Sequence, residues 1–325
     1  MPASGSCIFT CADGYQASLQ GMLDLLVPPA REFHARLTWV ELPRLRLLRA
    51  REASARVAYL SLPSERVFVT FPTRRDSPLI HDGVEVRCGE IMSHGRGARL
   101  YQRTTGASRW GSISLTPASL TALGRAVTGL DLLPPSTGLI LRPRPVDWTR
   151  LLRLHAQAGR IAETKLDHIG HPEVARALEQ DLIWALATCL TTGNPQDDPE
   201  IRGRHAAMLL RFEEVRASHP DRMLRVPEIC HAIGVSERTL RTCCSRVLGM
   251  GPGKYQRLRR LKLVCAEIAR ADGASASIAG VTKRYGFADF RHFVTEYRSI
   301  CGGPLPCLRV LPGIDEFEAR ISDFA

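Results

Sequence analysis

Residues 234–249 read GVSERTLRTCCSRVLG. Leu240, Cys243, Cys244 and Val247 recur at i, i+3, i+4 and i+7, the spacing that gathers side chains on one face of a helix. Arg238, Arg241, Thr242 and Ser245 repeat that spacing on the opposite side. The apolar set gives the helix a face to dock with. The cationic and hydroxylic set is left to meet something outside the core. Gly234 stands where a preceding helix would end, and Ser236 where a new one would be capped.

The pattern occurs twice. In GFADFRHFVTEYRSICG, residues 286–302, Phe290, Phe293, Tyr297 and Ile300 form the apolar stripe, while Arg291, Thr295 and Arg298 stand opposite. Asp289 takes the place of Ser236 as the capping residue. Each copy is a short helix, a turn at glycine and a second helix, which is the helix-turn-helix pattern. The two glycines lie 52 residues apart. Between them GKYQRLRRLKLVCAEIAR reads as one long helix with the stripe Tyr255, Leu258, Leu261, Cys265 and Ile268. A helix of about 20 residues spans roughly 30 Å, close to the roughly 34 Å between successive major-groove segments on one duplex face. Lys254, Arg257, Arg259, Arg260 and Lys262 are expected on its exposed side, above the phosphate backbone.

Charge points to the same third of the chain. The 325 residues carry 44 Lys+Arg against 33 Asp+Glu, a net +11. Residues 201–310 alone hold 20 and 9, so the rest balances at 24 of each sign. Positive charge concentrated in one region marks a surface for a polyanion. Arginine bonds guanine bidentately and threonine meets a thymine methyl or a polar base edge, so these helix faces suit duplex DNA.

Residues 201–310 resemble the DNA-binding domain of the AraC/XylS family of bacterial transcription regulators. The stretches that carry the resemblance are GVSERTLRTCCSRVLGMGPGKYQRLRRLKLVCAEI and YGFADFRHFVTEYRSICG. It implies a double-stranded DNA binder with a base-reading helix in each of two groove segments, and RNA polymerase as a further partner. By position the base-reading residues fall on Arg238, Arg241, Thr242, Arg291, His292 and Thr295. Backbone contacts fall on Ser236, Arg246, Lys254, Arg257, Arg259, Arg260 and Arg298. Cys230, Cys244 and Thr282 depart from the family's usual Ala, Phe and Ala, Cys301 replaces an aromatic, and Pro304 and Pro306 flank the place of one proline. Those changes put the second unit's grip in doubt.

The remainder is expected to be a second fold, giving a multidomain α+β protein. LTWVEL, RLRLLRA, ARVAYLSL, RVFVTF and ARLYQR are short runs rich in branched or alternating residues, broken by Pro, Ser and Gly. Asp82-Gly83 between apolar runs marks a hairpin. The first thirty residues look irregular apart from a short helix near YQASLQGMLDLL. A helix enters at Thr116-Pro117, and two long amphipathic helices follow. One carries Trp148, Leu151, Leu152, Leu154 and His155, the other Val174, Leu178, Leu182 and Leu186. The expected divisions are a β-rich sensor domain over 1–147, a helical dimerisation segment over 148–192, a linker over 193–200, the DNA-binding domain over 201–310 and a tail over 311–325. In element order the front resembles the family's small cupin-like β-barrel with helices, which implies a small-molecule effector and a homodimer. The sequence names no effector.

Other classes fare worse. An enzyme would need a nucleophile–base pair or a metal set, and no catalytic residue stands out. His81, Glu90 and His94 lack dense ligand spacing and read as turn or surface residues, and His168 and His171 as a loop, so neither metal nor cofactor is expected. Arg96, Arg99, Arg103 and Arg109, scattered among strands, fit an anionic effector or a solvated face equally well. The ten cysteines show no CxxC pair and fit a reducing cytoplasm; Cys243 and Cys244 are the candidates if any is redox-active. No run approaches the roughly 20 apolar residues of a membrane span. A sequence-tolerant architectural DNA binder remains the alternative to a site-specific one.

Overall fold

The computed structural model describes residues 2–27, 33–129, 131–164, 168–196, 199–219, 222–270 and 275–301. The expected tail at 311–325 and the Pro304–Pro306 stretch lie outside the described residues. The chain forms two compact units, one made mainly of residues up to Ala207 and the other mainly of residues from Met208 onward.

The first unit begins with β1 (Ala3–Phe9), α1 (Ala12–Ser18), β2 (Met22–Leu26), β3 (Ala35–Glu41) and β4 (Leu45–Glu52). It continues through β5 (Arg56–Ser61), β6 (Val67–Pro72), β7 (Leu79–His81), β8 (Val84–Val86), β9 (Ile91–Ser93), β10 (Arg99–Thr104) and β11 (Ser108–Leu115). After α2 (Pro117–Thr128), β12 (Leu139–Arg142), α3 (Pro145–Thr164) and α4 (Pro172–Thr192) comes β13, the pair Asn194–Pro195. The strands make two antiparallel sheets, ordered β1-β3-β4-β11-β6-β9-β12-β13 and β2-β5-β10-β7-β8. Short strands followed by helices are what the sequence implied, but the barrel is corrected. Each sheet is open, with β1 and β13 at the edges of one and β2 and β8 at the edges of the other.

The larger sheet is covered on both faces. Leu37, Ala50 and Trp110 point toward the smaller sheet and share a core with Leu25, Ala58 and Leu79. Val40, Leu47, Val69, Phe71 and Ile113 point the other way, onto α2, α3 and α4. Double coverage explains why VFVTFP of β6, between β11 and β9, reads as a near-continuous apolar run rather than as alternation. It also demands close approach: a Cβ on Gly111 would lie 2.6 Å from His155 Nε2 of α3. That nitrogen donates to the Leu48 carbonyl at 2.9 Å.

Among the strands not visible in the sequence are β1 and β11. β1 buries little beyond Gly5 and is a strand because it pairs with β3, so it carries no period-two signal. β11, SRWGSISL, lies between β4 and β6; both its faces are buried, and its glycine and serines mask the alternation. The expected helix near residue 15 starts earlier, at Ala12, and LDLL belongs to β2. Asp82-Gly83 does turn a hairpin, with φ of 47° and 86°, the positive pair a two-residue turn needs. Val174 is 39% exposed, while Leu178, Leu182 and Leu186 are buried.

His81, Glu90 and His94 are not surface residues: all three are buried. Gln102 bonds His81 Nε2 at 3.4 Å and Thr70 bonds His94 Nε2 at 2.9 Å. Burial, with Arg202 nearby, lowers His94 to about 3. Burial lowers His155 to about 4 and drives His81 well below its ordinary 6.5. These rings stay neutral where the unfolded chain would take up protons, so the stability they supply is lost as pH falls below 6.5. Asp82 works in the opposite sense. Burial raises it to about 7 from 3.8, partly opposed by the Tyr101 amide, so its contribution is complete below 3.8 and is lost as pH rises toward 7. Asp82→Asn keeps an acceptor for that amide and tolerates the positive φ. Its Tm advantage over the parent should therefore grow from about pH 4 to about pH 7 and then level off. An advantage equal at every pH would show that Asp82 does not titrate in this window.

Candidate nucleic-acid interface

The second unit takes the later half of α5 (Pro199–Ala217), then α6 (Val226–Ile233), α7 (Glu237–Leu248), α8 (Pro252–Arg270), α9 (Ser275–Arg284) and α10 (Phe290–Cys301). Two helix-turn-helix turns are built the same way. α6 ends at Gly234, whose φ of 71° lets its N–H return to the Cys230 carbonyl. Two residues later Ser236 Oγ accepts the Thr239 amide at 3.1 Å and starts α7. In the second copy Gly286 has φ of 73°, and the Phe287 amide reaches back to the Thr282 carbonyl at 3.1 Å. Asp289 then accepts the His292 amide at 2.7 Å. A Cβ on Gly234 would touch nothing within 4 Å, so the backbone conformation, not crowding, selects glycine there.

The two faces of α7 separate as their spacing demands. Leu240, Cys243, Cys244, Val247 and Leu248 are buried. Arg238, Arg241, Thr242, Ser245 and Arg246 are exposed. Burial raises the Cys244 thiol to about 12, which keeps it protonated and unreactive at neutral pH. Arg241 is steadied by Glu237 one turn earlier, at 3.2 Å. On α10 Phe293 and Val294 are buried in a cluster with Leu261, Val264, Ile268, Val281 and Phe287. Arg291, His292 and Thr295 are exposed, and the Thr295 hydroxyl donates to the Arg291 carbonyl at 2.9 Å. All six residues expected to read bases thus stand in solvent on the second helix of their unit. Cys230, Cys244 and Thr282, the departures from the family pattern, are core residues.

The connecting helix α8 runs 19 residues, about 28 Å at 1.5 Å per residue, and packs on both α9 and α10. Its buried stripe is Tyr255, Leu258, Leu261 and Ile268. Lys254 and Arg257 face solvent as expected, but Arg259 and Arg260 do not. The Arg259 side chain is 15% exposed and reaches Glu213 of α5 at 3.3 Å. Glu213 also accepts from Tyr255 Oη and from Arg216 at 2.7 Å, so it ties α5 to α8. Arg260 is 12% exposed, lies 3.9 Å from the Phe287 ring centroid and pairs with Glu296 of α10 at 3.6 Å. Both arginines hold helices together rather than offering charge to a ligand. A run of basic residues on a helix fixes composition, but the 100° turn per residue carries Arg259 and Arg260 inward.

Two units with capped turns and cationic outward faces, joined by one helix, define a double helix-turn-helix DNA-binding domain. A family model described as "Helix-turn-helix domain" matches residues 229–305. A "Probable thc operon regulatory protein" from Rhodococcus erythropolis is 29% identical over 96 residues, which span 29% of this chain and 29% of that relative. The crystal structure of the AraC-like transcriptional activator CuxR aligns at 15% identity and a TM-score of 0.41, covering 85% of this chain and 98% of that one. ToxT from Vibrio cholerae O395 aligns at 12% identity and a TM-score of 0.28, covering 96% and 98%. The likeness that these comparisons carry lies in the C-terminal domain, which is similar to the helix-turn-helix domains of AraC/XylS-type transcription regulators.

Among the described residues no group of three or more His, Cys, Asp or Glu is placed to hold a metal ion, and no helix is long and apolar enough to cross a membrane. The half-buried position of Arg259, whose guanidinium burial lowers to about 10, gives a direct check. Arg259→Ala should cost about 1–3 kcal/mol of unfolding free energy in urea titrations, because Glu213 loses a charged donor. Unchanged stability would return Arg259 to the surface.

Proposed function

We propose that the protein is a site-specific DNA-binding regulator of transcription, working in the cytoplasm and controlled by a small effector bound in the first unit. What supports the reading is the pair of exposed polar helix faces, Arg238, Arg241 and Thr242 on α7 and Arg291, His292 and Thr295 on α10, each beside a capped turn. Guanidinium forks and threonine methyl and hydroxyl groups supply base readout in the major groove. Ser236, Arg246, Lys254, Arg257 and Arg298 supply the backbone contacts that fix register. A homodimer joined through residues 148–192 would set two such domains on one operator, and RNA polymerase would read out occupancy. Trp184, 43% exposed on α4 beneath the Arg150 guanidinium, is an apolar group available to such a seam.

Selection of bound sites from a random duplex library by the full-length protein, at near-physiological salt, is the deciding experiment. Two short conserved blocks about one helical turn apart are expected. Recovery without any motif would favour a sequence-tolerant architectural binder. On a recovered site, Arg241→Ala should cost about 1–3 kcal/mol and relax preference at one position. Arg257→Ala should weaken every sequence alike and reduce the salt slope by about 1. Equal weakening of all sequences by Arg241→Ala would make that residue a phosphate contact.

A further inference from the structure

Residues 1–200 carry 23 Lys+Arg against 20 Asp+Glu, a near balance, yet their arginines are not evenly spread. Strand register sets Ile8 opposite Arg36, Arg36 opposite Arg51, and Arg51 opposite Arg109, across β1, β3, β4 and β11. Directly opposed residues share a sheet face, so three guanidinium groups stand in one row on adjacent strands. Two residues further along, Arg49 extends the cationic strip. Like charges so placed repel and weaken a sheet. Carboxylates answer only part of this charge. Glu163, near the C-terminal end of α3, lies 3.8 Å from Arg49 and 3.7 Å from Arg51 and accepts from Thr38 at 2.9 Å. Among the described residues Arg36 and Arg109 have no ion-pair partner. Burial first, then Arg51, lowers the Arg49 guanidinium, with Arg160 and Arg109 adding to the effect and Glu163 opposing it.

The row lines a cavity of about 430 Å³ at the end of the sheet, past α3. That volume lies within the roughly 300–1,000 Å³ usual for small-molecule sites. Arg74, paired with Asp76 at 3.1 Å, adds a fourth guanidinium. Ala35, Ala53 and Ala107 line the space with small side chains, and buried Ser108 and Glu52 lie in its wall. Glu52 is already committed to Arg56, so it does not neutralise the rim. Buried Arg51 Nε has no hydrogen-bond partner.

We infer that this cavity binds a small molecule carrying two or more oxyanions, carboxylate or phosphate, and that it is the effector site of the regulator proposed above. Planar guanidinium forks match both oxyanions bidentately, and an anion lying across the row would offset the repulsion among its arginines. The inference rests on the effector-controlled reading for its role, but the anion site stands on its own geometry.

The test uses the full-length protein with pyrophosphate and citrate as probes, titrated at constant ionic strength and followed by calorimetry and thermal unfolding. One probe should stabilise the protein saturably, and the preferred probe distinguishes phosphate from carboxylate recognition. Arg36→Gln combined with Arg109→Gln should weaken that binding by at least about tenfold, the loss of a charged hydrogen-bonding pair. Arg99→Gln, exposed on β10 and outside the cavity, should not. Arg109→Gln alone changes an exposed side chain and gives the same readout should the double variant fold poorly. Absence of saturable binding by both probes overturns the inference, as does binding that the double variant retains in full. If the double variant instead loses only salt-dependent affinity for duplex DNA, the row is a nucleic-acid contact and the small-molecule site is overturned. Operator affinity measured on the same samples separates the two readings. Probe binding that leaves operator affinity unchanged keeps the anion site and removes effector control, whereas specific operator binding without probe binding keeps the DNA-binding reading and overturns the anion site.

Discussion

Between the two sheets of the first unit the Glu52 carboxylate is only 1% exposed, and four donors converge on it. Tyr15 Oη of α1 lies at 2.7 Å, Arg56 Nε of β5 at 2.9 Å, and Ser108 Oγ and Trp110 Nε1 of β11 at 2.6 and 3.0 Å. Burial alone would raise its pKa, but Arg56 and the three neutral donors outweigh that and hold it below the ordinary value. Arg56 is equally buried and passes the chain of bonds on to Gln102 Oε1 of β10 at 2.5 Å. Losing one partner of such a pair strands a charge in the interior, at about 3–5 kcal/mol. Because the donors come from both sheets and from α1, the pair fixes the sheets against one another as a packed apolar interface would not. It also keeps the carboxylate from cancelling the arginine row a few ångströms of chain away.

The second unit is organised by a backbone constraint instead. Gly234 and Gly286 both take the left-handed conformation, and Ser236 and Asp289 cap the helices that follow. Glycine and cap together fix where each second helix starts, hence which of its faces packs. The apolar stripe then has one place to go, and the arginines and threonines are left in solvent. Glu213, with Tyr255, Arg216 and Arg259 around it, ties α5 to the connecting helix by side-chain bonds. Two basic residues that composition would assign to a ligand are thereby spent on holding helices.

Electrostatics differ in kind between the units. In residues 201–310 the excess of cations is a matter of count and survives any arrangement. In residues 1–200 the counts nearly cancel, at 23 against 20, and only the pairing of strands turns that composition into a local cationic field. A small net charge therefore does not decide whether a surface can attract an anion.

The helix-turn-helix units, their caps, the connecting helix, the hairpin at Asp82-Gly83 and five of the strands were legible in the sequence, because each depends on residues within a few positions of one another. The 3.6-residue period puts Arg238, Arg241, Thr242, Arg291 and Thr295 on the exposed side, while His292 follows only from the family resemblance. Arg259 and Arg260 were misjudged because whether a basic residue finds Glu213 or Glu296 depends on helices packed from elsewhere. β1 and β11 went unseen for the same reason: an edge strand and a serine-rich central strand owe their conformation to their neighbours. The arginine row is the extreme case. Arg36 and Arg109 lie 73 residues apart, and nothing local to either records the other. Sequence by itself determined the elements whose hydrogen bonds close within a turn. Tertiary structure decided every arrangement in which β-strand register or helix packing joins distant segments, since those pairings cost loop entropy that only the whole core offsets.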